Sequence, residues 1–73
     1  MFSKERLKNR RNEKKLSQSE IASKIGVNRT AFHNWENGKS IPNQKNLTAL
    51  AKILDVPVTY FESEYNIVNN YLQ

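Results

Sequence analysis

Apolar positions along this chain recur at helical intervals and nowhere alternate as strand residues would. Phe2, Leu7 and Leu16, joined by the aliphatic stem of Arg11, make a thin stripe across a first segment, residues 3–15, for which Ser3 is a suitable cap. Ile21, Ala22 and Ile25 share one face of a second segment. Ser17 caps it, Glu20 stands three residues on as a capping-box partner, and Gly26 ends it where the backbone turns left-handed. Val27 tucks that turn into the core. Asn28 caps a third segment, residues 28–37, with Ala31, Phe32 and Trp35 on one stripe and Arg29, Thr30, His33, Asn34 and Asn37 on the other. Pro42 and Asn43 punctuate the chain before Leu47, Leu50, Ala51 and Leu54 mark a fourth helix, which Asp55 interrupts near its end. Pro57 then restarts a short helical turn with Val58 and Phe61 pointing inward. The expected architecture is all-α, a compact five-helix bundle.

Residues 63–73 differ in character. Tyr65, Val68 and Leu72 keep helical spacing, but the segment holds no basic residue. It is read as an extra C-terminal helix for dimerisation or as the start of a linker into a longer protein, so residues 1–62 are expected to form one domain and 63–73 a tail.

Charge sharpens the picture, because the net charge of +5 is unevenly spread. All 12 Lys and Arg lie in residues 1–52 beside 4 acids, whereas residues 53–73 carry 3 acids and no base. The segments with the polar helical stripe are therefore the basic ones, which favours a polyanion partner. The absence of cysteine excludes disulfides and thiolate zinc sites, and His33, the single histidine, has no obvious companion ligands. No metal or cofactor is expected. No nucleophile, base and orienter can be assembled either, so the chain does not read as an enzyme. It has no apolar run of 18 residues, and a cytoplasmic location is expected.

Two short capped helices joined by a glycine turn form the layout of a helix-turn-helix, which places one helix in the DNA major groove. On that layout the polar stripe supplies base readers. Arg29 suits guanine O6 and N7, Asn34 suits adenine N6 and N7, Thr30 offers a methyl and a hydroxyl, and His33 reaches a groove edge or a phosphate. Phosphate contacts fall to Ser17, Gln18 and Asn28 at helix starts, to Asn37, Lys39 and Ser40 after the third helix, and to Arg10. The rest of the basic run from Arg6 to Lys15 reads as a solvated face. Trp35 reads as core, not as a base-stacking ring.

The stretches LSQSEIASKIGVNRTAF and WENGKSIP, with Arg11 five residues before Leu16 and the helix LTALAKILDV, resemble the Cro/C1-type helix-turn-helix family of bacterial and phage transcription regulators, also called the XRE family. The resemblance runs from about residue 4 to residue 61. It implies a lambda-repressor-like five-helix bundle that binds operator DNA as a homodimer and regulates transcription, most readily as a repressor. It implies that Gln18 and the main chain at the start of helix 2 hold phosphates, that Arg29, Thr30, His33 and Asn34 face the groove, and that Arg11 and Glu36 form a buried ion pair. Related phage repressors frequently carry glutamines where this chain has Arg29, Thr30 and Asn34, so a target sequence does not transfer. The competing reading is a protein-interaction module, such as an antitoxin, whose tail holds a partner protein and whose DNA binding is secondary.

Overall fold

The computed structural model describes residues 1–62, so the expected tail helix lies outside the described residues. Four α-helices follow one another: α1 (Lys4–Glu13), α2 (Gln18–Ile25), α3 (Arg29–Glu36) and α4 (Gln44–Leu54). Each starts on a residue whose side-chain oxygen accepts a hydrogen bond from a backbone N–H three residues on: Ser3 from Arg6, Ser17 from Glu20, Asn28 from Ala31 and Asn43 from Asn46. At α2 the box is reciprocal, since the Ser17 N–H also donates to the Glu20 carboxylate at 2.8 Å.

The helices also end alike. Lys15, Gly26, Gly38 and Asp55 adopt positive φ values of 57°, 79°, 78° and 57°. The N–H of the following residue then reaches back to the carbonyl of the last full turn: Leu16 to Arg11, Val27 to Ala22, Lys39 to Asn34 and Val56 to Ala51. This is the Schellman arrangement, which satisfies carbonyls that a helix end leaves orphaned.

The five-helix expectation is corrected here: among the described residues there are four α-helices, followed by a single 3₁₀ turn, Val58–Phe61. Pro57 supplies no side-chain cap, and five residues after it Glu62 has already returned to extended backbone. The turn therefore closes i to i+3, through the Tyr60 N–H to the Pro57 carbonyl and the Glu62 N–H to the Thr59 carbonyl. Glu62 pairs instead with Phe2 in an isolated antiparallel bridge, a contact that the helical pattern did not signal. The Arg6 guanidinium fastens the same corner by donating to the Tyr60 and Glu62 carbonyls at 3.1 and 2.7 Å.

Leu7, Ile21, Ala22, Phe32, Trp35, Leu47, Leu50, Ala51, Leu54 and Phe61 form one buried cluster, so every α-helix and the 3₁₀ turn contribute. Phe32 and Trp35 meet edge to face with centroids 5.8 Å apart. The tryptophan is 5% exposed, as expected of a core residue and not of a free stacking platform. Among the described residues no helix is long and apolar enough to cross a membrane.

Candidate nucleic-acid interface

Burial of Phe32 and Trp35 decides which way α3 faces, because side chains on the far side of the helix from them then point outward. Arg29, Thr30 and His33 are exposed, Asn34 is half-buried, and the first three line a shallow depression of about 130 Å³. The structure therefore brings the four expected base readers onto one and a half turns of one helix. At its C-terminal end α3 is anchored by its last residue. The Glu36 side chain is 2% exposed, and its two oxygens take the Arg11 Nε at 2.6 Å and the Arg11 terminal nitrogen at 3.1 Å. Arg11 also donates to the Leu16 carbonyl at 2.8 Å. Such a fork-on-carboxylate contact fixes direction as well as distance.

Gln18 joins this network by donating its side-chain amide to Glu36 at 2.9 Å. α1, α2 and α3 thus converge on one carboxylate. As the first residue of α2, Gln18 keeps its backbone N–H ahead of the first intrahelical bond, at the positive end of the helix. Ser17 is exposed, and its oxygen accepts from Glu20 while the hydroxyl hydrogen remains a donor. The Glu20 carboxyl is held below the ordinary glutamate range, first by the Ser17 backbone N–H, then by the Ser17 hydroxyl, with a smaller contribution from Lys24. Asn28 likewise spends its side-chain oxygen on the cap of α3, at 2.7 Å from the Ala31 nitrogen, and its amide hydrogens face outward from an exposed residue. Lys39 and Ser40 are exposed in the loop after α3.

Two expected phosphate contacts are placed differently. The Arg10 guanidinium donates to the Leu54 and Asp55 carbonyls at 2.9 and 3.5 Å and pairs with Glu13 at 3.2 Å, so it caps the end of α4. A cation at a helix C-terminus is favourable, and the α4 end offers carbonyls where a free arginine would have only water. Asn37 turns its amide back onto its own helix, 2.8 Å from His33 Nε2 and 3.0 Å from the His33 carbonyl. Neither placement had a local signal, since one joins residues 44 apart and the other depends on a rotamer.

A family model described as helix-turn-helix matches residues 7–61. An uncharacterised HTH-type transcriptional regulator of Bacillus subtilis, YqaE, is 43% identical over 60 residues, covering 82% of this chain and 51% of the relative. Repressor protein C2 of Salmonella phage P22 is 36% identical over 56 residues, 77% of this chain and 26% of its own length. The chain thus spans about half the length, or less, of these relatives. Among solved structures, the P22 C2 repressor in complex with a synthetic operator superposes with a TM-score of 0.78 at 33% identity, covering 84% of this chain and 92% of the other.

Proposed function

The chain belongs to the XRE-type helix-turn-helix family, one of DNA-binding transcription regulators and not an enzyme class, and from that premise we propose that it binds a double-stranded operator as a homodimer. One observation carries the reading: α3 presents Arg29, Thr30, His33 and Asn34 outward from a helix whose back is fixed by Phe32 and Trp35 and whose C-terminal end is held by the Arg11–Glu36 pair. In this reading α3 enters the major groove, and those four side chains meet base edges. Ser17, Gln18, Asn28, Lys39 and Ser40 grip the phosphates on either side, Gln18 chiefly through its backbone N–H. Arg10 and Asn37 are left out of the gripping set because their donors are spent inside the fold. Occupancy of the operator blocks RNA polymerase, which makes repression the favoured outcome. Residues 1–62 are the DNA-binding unit, 63–73 serve assembly, and the protein acts in the cytoplasm, where the DNA is.

Selection from a random duplex library at physiological salt tests this. An enriched inverted repeat with half-site centres about 34 Å apart is expected. Retention of DNA without an enriched motif would show charge attraction alone, and the proposal would fail.

A further inference from the structure

We infer that Asn37 is a positioning residue that holds the His33 imidazole in one tautomer, protonated on Nδ1, and so makes His33 a reader of hydrogen-bond acceptors. The inference rests on the reading of α3 as the base-reading helix. Its foundation is a pair of distances: one nitrogen, Asn37 Nδ2, lies 3.0 Å from the His33 backbone carbonyl and 2.8 Å from His33 Nε2.

A carbonyl oxygen can only accept, so the amide atom facing it must be the NH₂ and not the oxygen. That settles the orientation of the amide without appeal to the ring. The second amide hydrogen then points at Nε2, which must offer a lone pair to receive it. In a neutral imidazole with a bare Nε2 the proton resides on Nδ1. Asn37 therefore uses both hydrogens within α3 and retains only an acceptor oxygen, which cannot hold a phosphate. His33 retains a single donor, Nδ1–H, and the residue lines the same depression as Arg29 and Thr30.

The chemistry of the base edges follows from that donor. Guanine O6 and N7, adenine N7 and thymine O4 accept hydrogen bonds in the major groove, whereas cytosine presents only its N4 donor. His33 thus favours any base but cytosine at its position, and Asn37 enforces the preference without touching DNA.

Imidazole ¹⁵N–¹H correlation spectra of the full chain read the tautomer with no DNA present. The wild type should show the Nδ1–H pattern, and Asn37→Ala should show an average of both forms. A wild-type spectrum of the Nε2–H form overturns the inference. In library selection the wild type should disfavour cytosine at one position per half-site by roughly threefold to tenfold, the worth of one hydrogen bond. Asn37→Ala should relax that preference, and His33→Ala should look the same with or without Asn37→Ala. If Asn37→Ala altered base choice equally in the His33→Ala background, Asn37 would act on DNA directly and the inference would fall. A locked Nδ1–H tautomer combined with base choice indifferent to His33→Ala would sink the base-reading role of His33 and leave the hold of Asn37 on the ring standing.

Discussion

Arg11→Met is the most demanding perturbation of this fold, because it removes the cation from a carboxylate that has almost no access to water. The Glu36 side chain is 2% exposed and that of Arg11 is 11% exposed. After the substitution Glu36 keeps the Gln18 amide at 2.9 Å but loses both guanidinium contacts, and the Leu16 carbonyl loses its donor as well. Breaking one partner out of a buried ion pair costs about 3–5 kcal/mol, most of it the burial of an uncompensated charge. A chain of 73 residues holds about 4–11 kcal/mol in total. The loss is therefore about a quarter of the stability at the very least, and Tm should fall by more than about 12 °C at 4–8 °C per kcal/mol. The double variant Arg11→Met/Glu36→Leu removes the stranded charge and replaces the pair with apolar contact, a change that is often nearly neutral. It should therefore be more stable than Arg11→Met alone, with a coupling energy of about 2–4 kcal/mol in the double-mutant cycle. Urea unfolding followed through Trp35, the single tryptophan and itself 5% exposed, measures all four corners. Additivity within about 0.5 kcal/mol would refute the argument that burial makes this pair strongly coupled.

The capping box gives a pH dependence whose sign is fixed by the lowered Glu20 pKa. The folded state binds its proton less readily than the unfolded chain, so this contribution is complete above about pH 4.5 and is lost as pH falls through the lower folded value. Urea midpoints of wild type and Glu20→Gln taken between pH 7 and pH 3 should converge on acidification (a range set by the ordinary carboxylate pKa of about 4). At the helix ends, Lys15 and Asp55 hold φ of 57° with full side chains, so Lys15→Gly should raise stability by about 0.5–1 kcal/mol. Gly26→Ala, at φ 79°, should lower it by about 1 kcal/mol, with thermal melts deciding both. Arg29→Ala should weaken binding and relax base choice at one position per half-site, by about 1–3 kcal/mol against the correct base. Lys39→Ala should weaken all duplexes alike and reduce the salt slope by about one unit, a contrast visible in titrations of operator and random DNA at several salt concentrations.

What was legible in the sequence follows the range over which each interaction acts. The caps at Ser3, Ser17 and Asn28 and the stop at Gly26 are local, three or four residues wide, and the structure contains all of them. The split of α3 into a buried stripe with Phe32 and Trp35 and an outward polar stripe was equally visible, since helical period alone dictates it. Two helix stops carried no glycine to announce them: Lys15 and Asp55 adopt the left-handed conformation because the Schellman bonds and the packing of Leu16 and Val56 compensate its cost. The segment after Pro57 misled for a related reason, because Val58 and Phe61 have spacings that an α-turn and a 3₁₀ turn both accommodate. What separates the two is the Phe2–Glu62 bridge, which pulls the chain out of helix after four residues and joins positions 60 apart.

The long-range polar contacts were the least legible, and they share a logic that the periodic pattern cannot express. Arg6, Arg10 and Gln18 belong to polar stretches that look solvated, yet each donates to a group on a distant element: the 3₁₀ turn, the end of α4, and Glu36 in turn. Among these ties only the Arg11–Glu36 pair was expected, and that from the family resemblance. The basic residues of α1 thus serve partly as ties, which leaves fewer of them free to meet an anion than the charge count suggests. The consequence reaches α3. Its outward face is oriented by Glu36, and Glu36 is held by residues from α1 and α2, so the angle at which Arg29, Thr30, His33 and Asn34 are offered is set by a network at the C-terminal end of the same helix. Gln18 sits in both places, with its side chain on that network and its backbone N–H at the start of α2. A phosphate bound at the α2 start would therefore lie one residue from the carboxylate that orients the recognition helix, and grip and readout would share a rigid frame.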